Sequence, residues 1–324
     1  MSRVFIFILL LTSCNTNTKI TLKGIEFGTT YSVQYFDNEQ LDYTNQLDSL
    51  FVVVNNSMST YIDTSIISRI NNNENVILDK HFISVFNTSK EIFNYTNGKF
   101  DPSVGLLVNY WGFGPTYINK PINSLELDRL NKLVGFEKFA IDSLNKLKRP
   151  YNSFLDFNAI AKGYAVDLIS IFLEENNVNN YLVEIGGEIR VKGINISKNS
   201  PWIIGIDSPN YELSQEIYAT TELIDNSMAT SGVYRKYKID SNGKRYSHIL
   251  DPKKGMPSKT NILSVSVISK TCVVADALAT ALHVMNIKEI DSFLEENKDI
   301  LAYIIYEDEN GNIVDKSYNN FVIR

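Results

Sequence analysis

Apolar positions along this chain recur with two periods. In 41–54, Leu47, Leu50, Phe51 and Val54 fall at helical spacing. In 80–96, Phe82, Val85, Phe86, Ser89, Ile92 and Phe93 do the same, and Asn97-Gly98 supplies a helix stop. A third stripe is Ile160, Tyr164, Leu168 and Phe172, flanked by Ala161, Ala165 and Ile169. It predicts a helix from an Asn158 N-cap to about Glu175. Further helices are predicted over 271–285 and 287–296, with short ones over 65–70 and 125–134. Alternating or short apolar runs predict strands over 24–36, with Gly28 marking close backbone approach or a bulge, over 181–185 continuing through Gly186-Gly187 to 191, over 202–207 and 262–268, and lastly over 300–306. Hairpins are predicted over 139–150 and over 234–250, around Ser241-Asn242-Gly243. Residues 57–61, 71–75 and 228–232 read as loops. Helices and strands are mixed, the links are hairpin-like, and no period repeats. The fold class is therefore α+β rather than a doubly wound sheet.

The chain has 324 residues, room for one large domain or two ordinary ones. Its net charge is −6, with no basic run interleaved with aromatics, which argues against a nucleic-acid partner. The N-terminus changes the picture more. Arg3 precedes an apolar run over 4–11, too short to span a bilayer, and Leu11-Thr12-Ser13-Cys14 resembles a bacterial lipobox. The expected organisation is a signal peptide over 1–13, lipidation at Cys14, a polar tether over 14–22 and one domain over 23–324. A protein so processed sits in the cell envelope, facing the periplasm or the outer side of the inner membrane. Cys272 is then the remaining thiol, so no intramolecular disulfide forms.

Three places carry candidate chemistry. Lys162 falls in a helical first turn, where the dipole disfavours a cation, and Gly163 beside it leaves bare backbone; together they suit an anion such as a phosphate. Asp276 and Thr280, four apart on a helix, offer hard oxygens to Mg²⁺. His248 ends a strand three residues before Asp251, where an imidazole can act as a general base. Each has an ordinary alternative: a solvated Lys, an Asp near a helix start, a structural His. His81 and His283 read as packing or surface residues. Gly112-x-Gly114 lacks the third glycine and the strand–turn–helix context of a dinucleotide fingerprint. There is no Cys/His cluster at zinc spacing and no Gly-x-Ser-x-Gly elbow.

Taken together, four segments resemble the ApbE family of FAD:protein FMN transferases. They are the 154–165 stretch with Asp156, Ala159, Lys162 and Gly163, the 101–115 stretch from Asp101-Pro102 to Gly114-Pro115, Tyr246-Ser247-His248-Ile249-Leu250-Asp251-Pro252, and Ala275-Asp276-Ala277-Leu278-Ala279-Thr280-Ala281. The resemblance runs from about Gly24 to the last strand. It implies an ApbE-like, T-fold-type flavin-binding domain of mixed helices and antiparallel strands. It also implies Mg²⁺-dependent transfer of FMN from FAD to a Thr or Ser hydroxyl of an acceptor protein, with release of AMP. By the same resemblance Phe27, Tyr61, Lys99, Phe100, Asp101, Asp156, Lys162 and Leu250 fall at FAD. The Ala159 carbonyl, Asp276 and Thr280 fall at Mg²⁺, and His248 at the catalytic base. Phe27 stands where many members have Met, and Phe157-Asn158 replaces the commoner Leu-Gly. The family's acceptors carry an Asp-x-x-Ser/Thr-Gly-Ala-Thr-like motif. Ser227-Met228-Ala229-Thr230-Ser231-Gly232 does not match it, so the chain reads as enzyme rather than acceptor. The alternatives are a lipoprotein that only hydrolyses FAD to FMN and AMP, and a non-catalytic solute-binding lipoprotein.

Overall fold

The computed structural model describes residues 17–116, 123–209, 216–233, 237–239 and 245–324. Cys14 and the Ser241–Gly243 turn lie outside the described residues. An eight-stranded antiparallel sheet organises the rest. Its order is Thr18–Glu26, Thr29–Asp37, Tyr181–Ile185, Glu188–Lys192, Ser227–Gly232, Ile262–Ser269, Leu301–Glu307 and Ile313–Tyr318. Helices Thr44–Met58, Lys80–Tyr95, Ala161–Glu175 and Cys272–Val284 share one core with one sheet face. A two-stranded ribbon, Trp202–Asp207 with Ile217–Leu223, covers the other face. Strand parity divides the residues between the layers: Ile189 and Val191 join the ribbon-side core. No helix among the described residues is long and apolar enough to cross a membrane.

Several expectations are corrected. The 24–36 strand is two strands of a hairpin, Ile25 opposite Thr30, and Phe27-Gly28 is its turn, with φ of 51° and 72°. Positive φ at both central residues is what a tight hairpin with right-handed twist requires. Thr18 already lies in the first strand, so that strand overlaps most of the expected 14–22 tether. Gly186-Gly187 is likewise a turn, with φ of 62° and 101°, and Ile185 pairs with Glu188. The supposed loop 228–232 belongs to a central strand, Ser227–Gly232. Its small polar residues hid it from periodicity, yet Thr230 and Ser266 hydroxyls bond across the ladder at 2.8 Å. The strand over 301–307 is not the last; Ile313–Tyr318 adds an edge.

The helix expected from Asn158 starts at Ala161, with Ile160 as its cap residue and no side-chain capping bond from it. Its buried face is centred on Ala165, Val166, Ile169 and Leu173 rather than on the Tyr164–Leu168–Phe172 row. That row is partly buried too, Phe172 standing edge-on to Tyr43 at 5.1 Å. The helix is enclosed because the sheet, the Thr44–Met58 helix and the Cys272–Val284 helix all border it. Burying Val166, Ile169 and Leu173 stabilises this placement by about 1.5–3 kcal/mol each.

Candidate active site

The site is built where two helices begin. Gly163 lies in the first turn of Ala161–Glu175 and touches the first turn of Cys272–Val284. A Cβ there would sit 2.5 Å from the Cys272 carbonyl oxygen and 2.9 Å from Asp276 Cβ, so this close approach needs glycine. The helices cap each other. The Gly163 N–H donates to Asp276 Oδ2 at 3.0 Å. Asp167 accepts from Cys272 N–H at 3.0 Å and Val273 N–H at 2.8 Å. A carboxylate on first-turn amides satisfies donors that the helix cannot, and it complements the dipole. The capping role expected of Asn158 is thus taken by Asp276, from a segment remote in sequence.

Lys162 is paired. Its Nζ lies 2.5 Å from Glu188 Oε1, with the Lys side chain 29% exposed and the Glu side chain 4%. Burial alone would lower the ammonium pKa, but the Glu188 and Asp276 charges outweigh it and hold it above the ordinary lysine value. Burial first, then the Asp276 charge, push the Glu188 carboxyl up against the pull of Lys162 and its own backbone. Asp276 is also raised by burial, against the pull of Lys162 and the Gly163 N–H. Glu188 Oε2 is buried and has no hydrogen-bond partner.

The other motif segments gather around this junction. Asp156 donates its N–H to the Pro102 carbonyl at 2.8 Å, and its Oδ1 accepts from Asn158 N–H at 2.8 Å. Phe154 forms a parallel bridge with Val104. Tyr61 is 60% exposed near Asp156; burial first, then the Asp156 charge, raise its phenol. Trp111 Nε1 donates to the Gly255 carbonyl at 2.9 Å, and the Phe113 ring lies 6.2 Å from that of His248. His248 also lies close enough to His283 to lower the latter's pKa. Asp276, Thr280 and His283 follow one stripe of their helix. A cleft of about 490 Å³ opens beside Asp101, lined also by Asn131, Glu137, Pro252 and Lys253.

Not every expected FAD position offers a side chain. Phe100 and Leu250 are buried in core clusters, which leaves main-chain atoms to meet a ligand. The Lys99 ammonium is paired with Glu289 at 2.9 Å. Asp101 Oδ1 holds its own loop, accepting from Ser103 N–H at 2.8 Å and Oγ at 2.6 Å, while burial raises its carboxyl to about 6. Phe27 packs edge-on to Phe51 at 5.6 Å. His81 is a half-buried packing residue, its Nδ1 2.8 Å from the Tyr164 hydroxyl.

The residues present fit a hard divalent cation. Asp276 and Thr280 share a face. The Gly163 N–H, a first-turn donor with no acceptor in its own helix, goes to Asp276. A carboxylate, a hydroxyl and a carbonyl make an all-oxygen set suited to Mg²⁺. Among the described residues no group of three or more His, Cys, Asp or Glu is placed to hold a metal ion, so a cation here would rest on Asp276 together with neutral oxygens.

The ApbE family model matches residues 27–305. The chain belongs to the ApbE family. Its ApbE relatives include the FAD:protein FMN transferase of Haemophilus influenzae, 36% identical over 96% of this chain and 93% of that protein. The FAD:protein FMN transferase of Vibrio cholerae is 34% identical, over 93% and 92%. The solved flavin transferase ApbE from Vibrio cholerae superposes with a TM-score of 0.83 at 33% identity, covering 94% of this chain and 99% of that one. The apo flavinyl transferase ApbE of Pseudomonas stutzeri gives 0.83 at 30%, covering 93% and 95%. The α+β class read from the sequence holds in the observed architecture and in these ApbE structures.

Sequence reasoning missed Glu188, Asp167 and Arg190. A signal was present: Glu188, Arg190 and Lys192 alternate with apolar Ile189 and Val191, so one face of a strand is charged and turned toward the helices.

Proposed function

We propose that this chain transfers FMN from FAD to a Thr or Ser hydroxyl of an acceptor protein and releases AMP. The observation that carries the proposal is the junction itself: a Lys ammonium, first-turn backbone and an oxygen-donor face meet at two helix starts within an ApbE-family fold. Lys162 meets the pyrophosphate as a point charge, with the positive end of its helix dipole behind it. The exposed Tyr61 ring, beside Asp156, offers a face to the flavin or adenine. The 101–105 loop, held rigid by the Asp101–Ser103 bonds, orients the rest of the dinucleotide. An imidazole nitrogen of His248 takes the proton from the acceptor hydroxyl as its oxygen bonds to the FMN phosphorus and the pyrophosphate P–O bond breaks toward AMP. Mg²⁺ bound by Asp276, Thr280 and the Ala159 carbonyl supplies charge neutralisation for the phosphates. The lipobox-like Leu11–Cys14 leader supports lipid anchoring at Cys14 and work on the outer side of a membrane, where acceptors with an Asp-x-x-Ser/Thr-Gly-Ala-Thr-like motif would be met.

The test is incubation with FAD, Mg²⁺ and a peptide bearing that motif. A flavin-fluorescent peptide plus AMP is expected. FMN and AMP without a labelled peptide identifies a hydrolase instead, and intact bound FAD with neither product overturns the enzyme reading. His248→Ala is expected to keep FAD binding and lose transfer by about 10²–10⁴-fold, the range of a general base; an unchanged rate removes His248 from that role.

A further inference from the structure

Glu188 stands in no ordinary structural role. It follows the tight Gly186-Gly187 turn, its residue is 3% exposed, and one carboxylate oxygen contacts Lys162 at 2.5 Å. The other oxygen, Oε2, is buried without a partner. Unpaired buried acceptors are rare because desolvation is not repaid, so each one calls for an explanation. The local charge makes the same point. Glu188 and Asp276 are two carboxylates beside the single Lys162 ammonium. Asp276 also spends Oδ2 on the Gly163 N–H, so two carboxylates share the one ammonium.

We propose that Glu188 is a positioning residue of the transfer site, with two effects on its ligands. It anchors the Lys162 ammonium from the buried side, so that the partly exposed remainder meets phosphate oxygens. It also supplies the second negative charge that draws a divalent cation to the Asp276–Thr280 face. The inference deepens the proposed transfer function and rests on it. The anchoring follows from geometry: a lysine stem is long and flexible, and holding its ammonium in one place requires a rigid counter-charge. The cation effect follows from Coulomb's law, since a carboxylate this close to Asp276 acts on the same ion through an interior of low effective dielectric constant.

The two effects separate in two variants of the full chain. Glu188→Gln keeps an oxygen for Lys162 but removes the charge. Glu188→Asp keeps the charge but retreats by one methylene. Mn²⁺ binding is read by electron paramagnetic resonance after chelator treatment and without FAD, and KM for FAD is read separately. Glu188→Gln is expected to weaken Mn²⁺ binding by about tenfold, the order that loss of one nearby charge implies, with the melting temperature in chelator unchanged or raised. Glu188→Asp is expected to bind Mn²⁺ as the wild type does while raising KM for FAD several-fold. If Glu188→Gln binds Mn²⁺ like a competent wild type and Glu188→Asp leaves KM unchanged, the proposal is overturned and the transfer function stands. A wild-type chain that binds no Mn²⁺ overturns the proposal too, while the acceptor-peptide assay decides the transfer function separately.

Discussion

Two charge clusters, one half-buried and one buried, lie side by side on the same pair of helices and the same strand, yet they are finished differently. In the first, Asp167 accepts from two amides and from Arg190 Nη1 at 2.7 Å. Glu174 accepts from Arg190 Nη2 at 3.0 Å, Lys192 Nζ at 2.9 Å and the Tyr181 hydroxyl at 2.7 Å. Two carboxylates meet two cations and their oxygens are occupied. In the second, Glu188 and Asp276 meet Lys162 alone, and Glu188 Oε2 has no partner. A saturated, neutral cluster joins elements and has little left to give a ligand. An unsaturated, negative one costs stability and keeps its capacity for a cation. That contrast separates scaffold from site more sharply than residue type does, because both clusters use the same side chains.

The comparison can be broken at its scaffold half first. Arg190→Ala strands Asp167 and Glu174 without their shared cation, and it should cost about 3 kcal/mol, the lower end for a buried pair losing one partner. Urea unfolding measures it, and transfer per folded molecule should stay within a few-fold. A neutral stability change with lost transfer would put Arg190 in the site and dissolve the distinction.

Gly163→Ala probes the junction that both clusters share. The new methyl meets Cys272 backbone, so overpacking should cost about 1–3 kcal/mol, of which helix propensity returns up to about 1 kcal/mol. Because Asp276 must move with its helix, Mn²⁺ affinity should fall as well. A stabilised variant with intact affinity would mean the helices do not need this approach.

The smallest effect at neutral pH concerns His283, at the far end of the Asp276 stripe. Neither ring nitrogen has a hydrogen-bond partner. Burial drives its pKa from 6.5 down to about 4, with His248 adding to the fall and backbone at His283 and Leu263 opposing it. The folded value lies below the unfolded one. Between them the unfolded chain binds more protons, so stability is present above pH 6.5 and lost as pH falls toward 4, by about 3 kcal/mol over the full window. His283→Leu should be at most about 1–2 kcal/mol more stable at pH 7.5, for want of unpaired polar atoms. Its advantage should widen on acidification. Parallel pH–stability curves for the two proteins would show that His283 does not titrate in this way.

Much was legible in the chain by itself. Helical periodicity located the long helices to within a few residues, because each buries a continuous stripe and the stripe is written locally. Motif spacing brought out Lys162, Asp276, Thr280 and His248, since residue type and position in an element limit what each can do. Strands made of small polar residues, such as Ser227–Gly232, were illegible, because their burial on both faces comes from neighbours rather than from their own pattern. The helix start at Ala161 rather than Asn158 was decided by Asp276, 113 residues away from Gly163, which took the capping role. The same holds for Glu188. The sequence determined that a charged strand follows a double-glycine turn; only the tertiary structure decided that its first carboxylate would face one ammonium instead of two. Local pattern determines which surfaces are buried, but whether a buried charge is balanced depends on which distant groups arrive beside it.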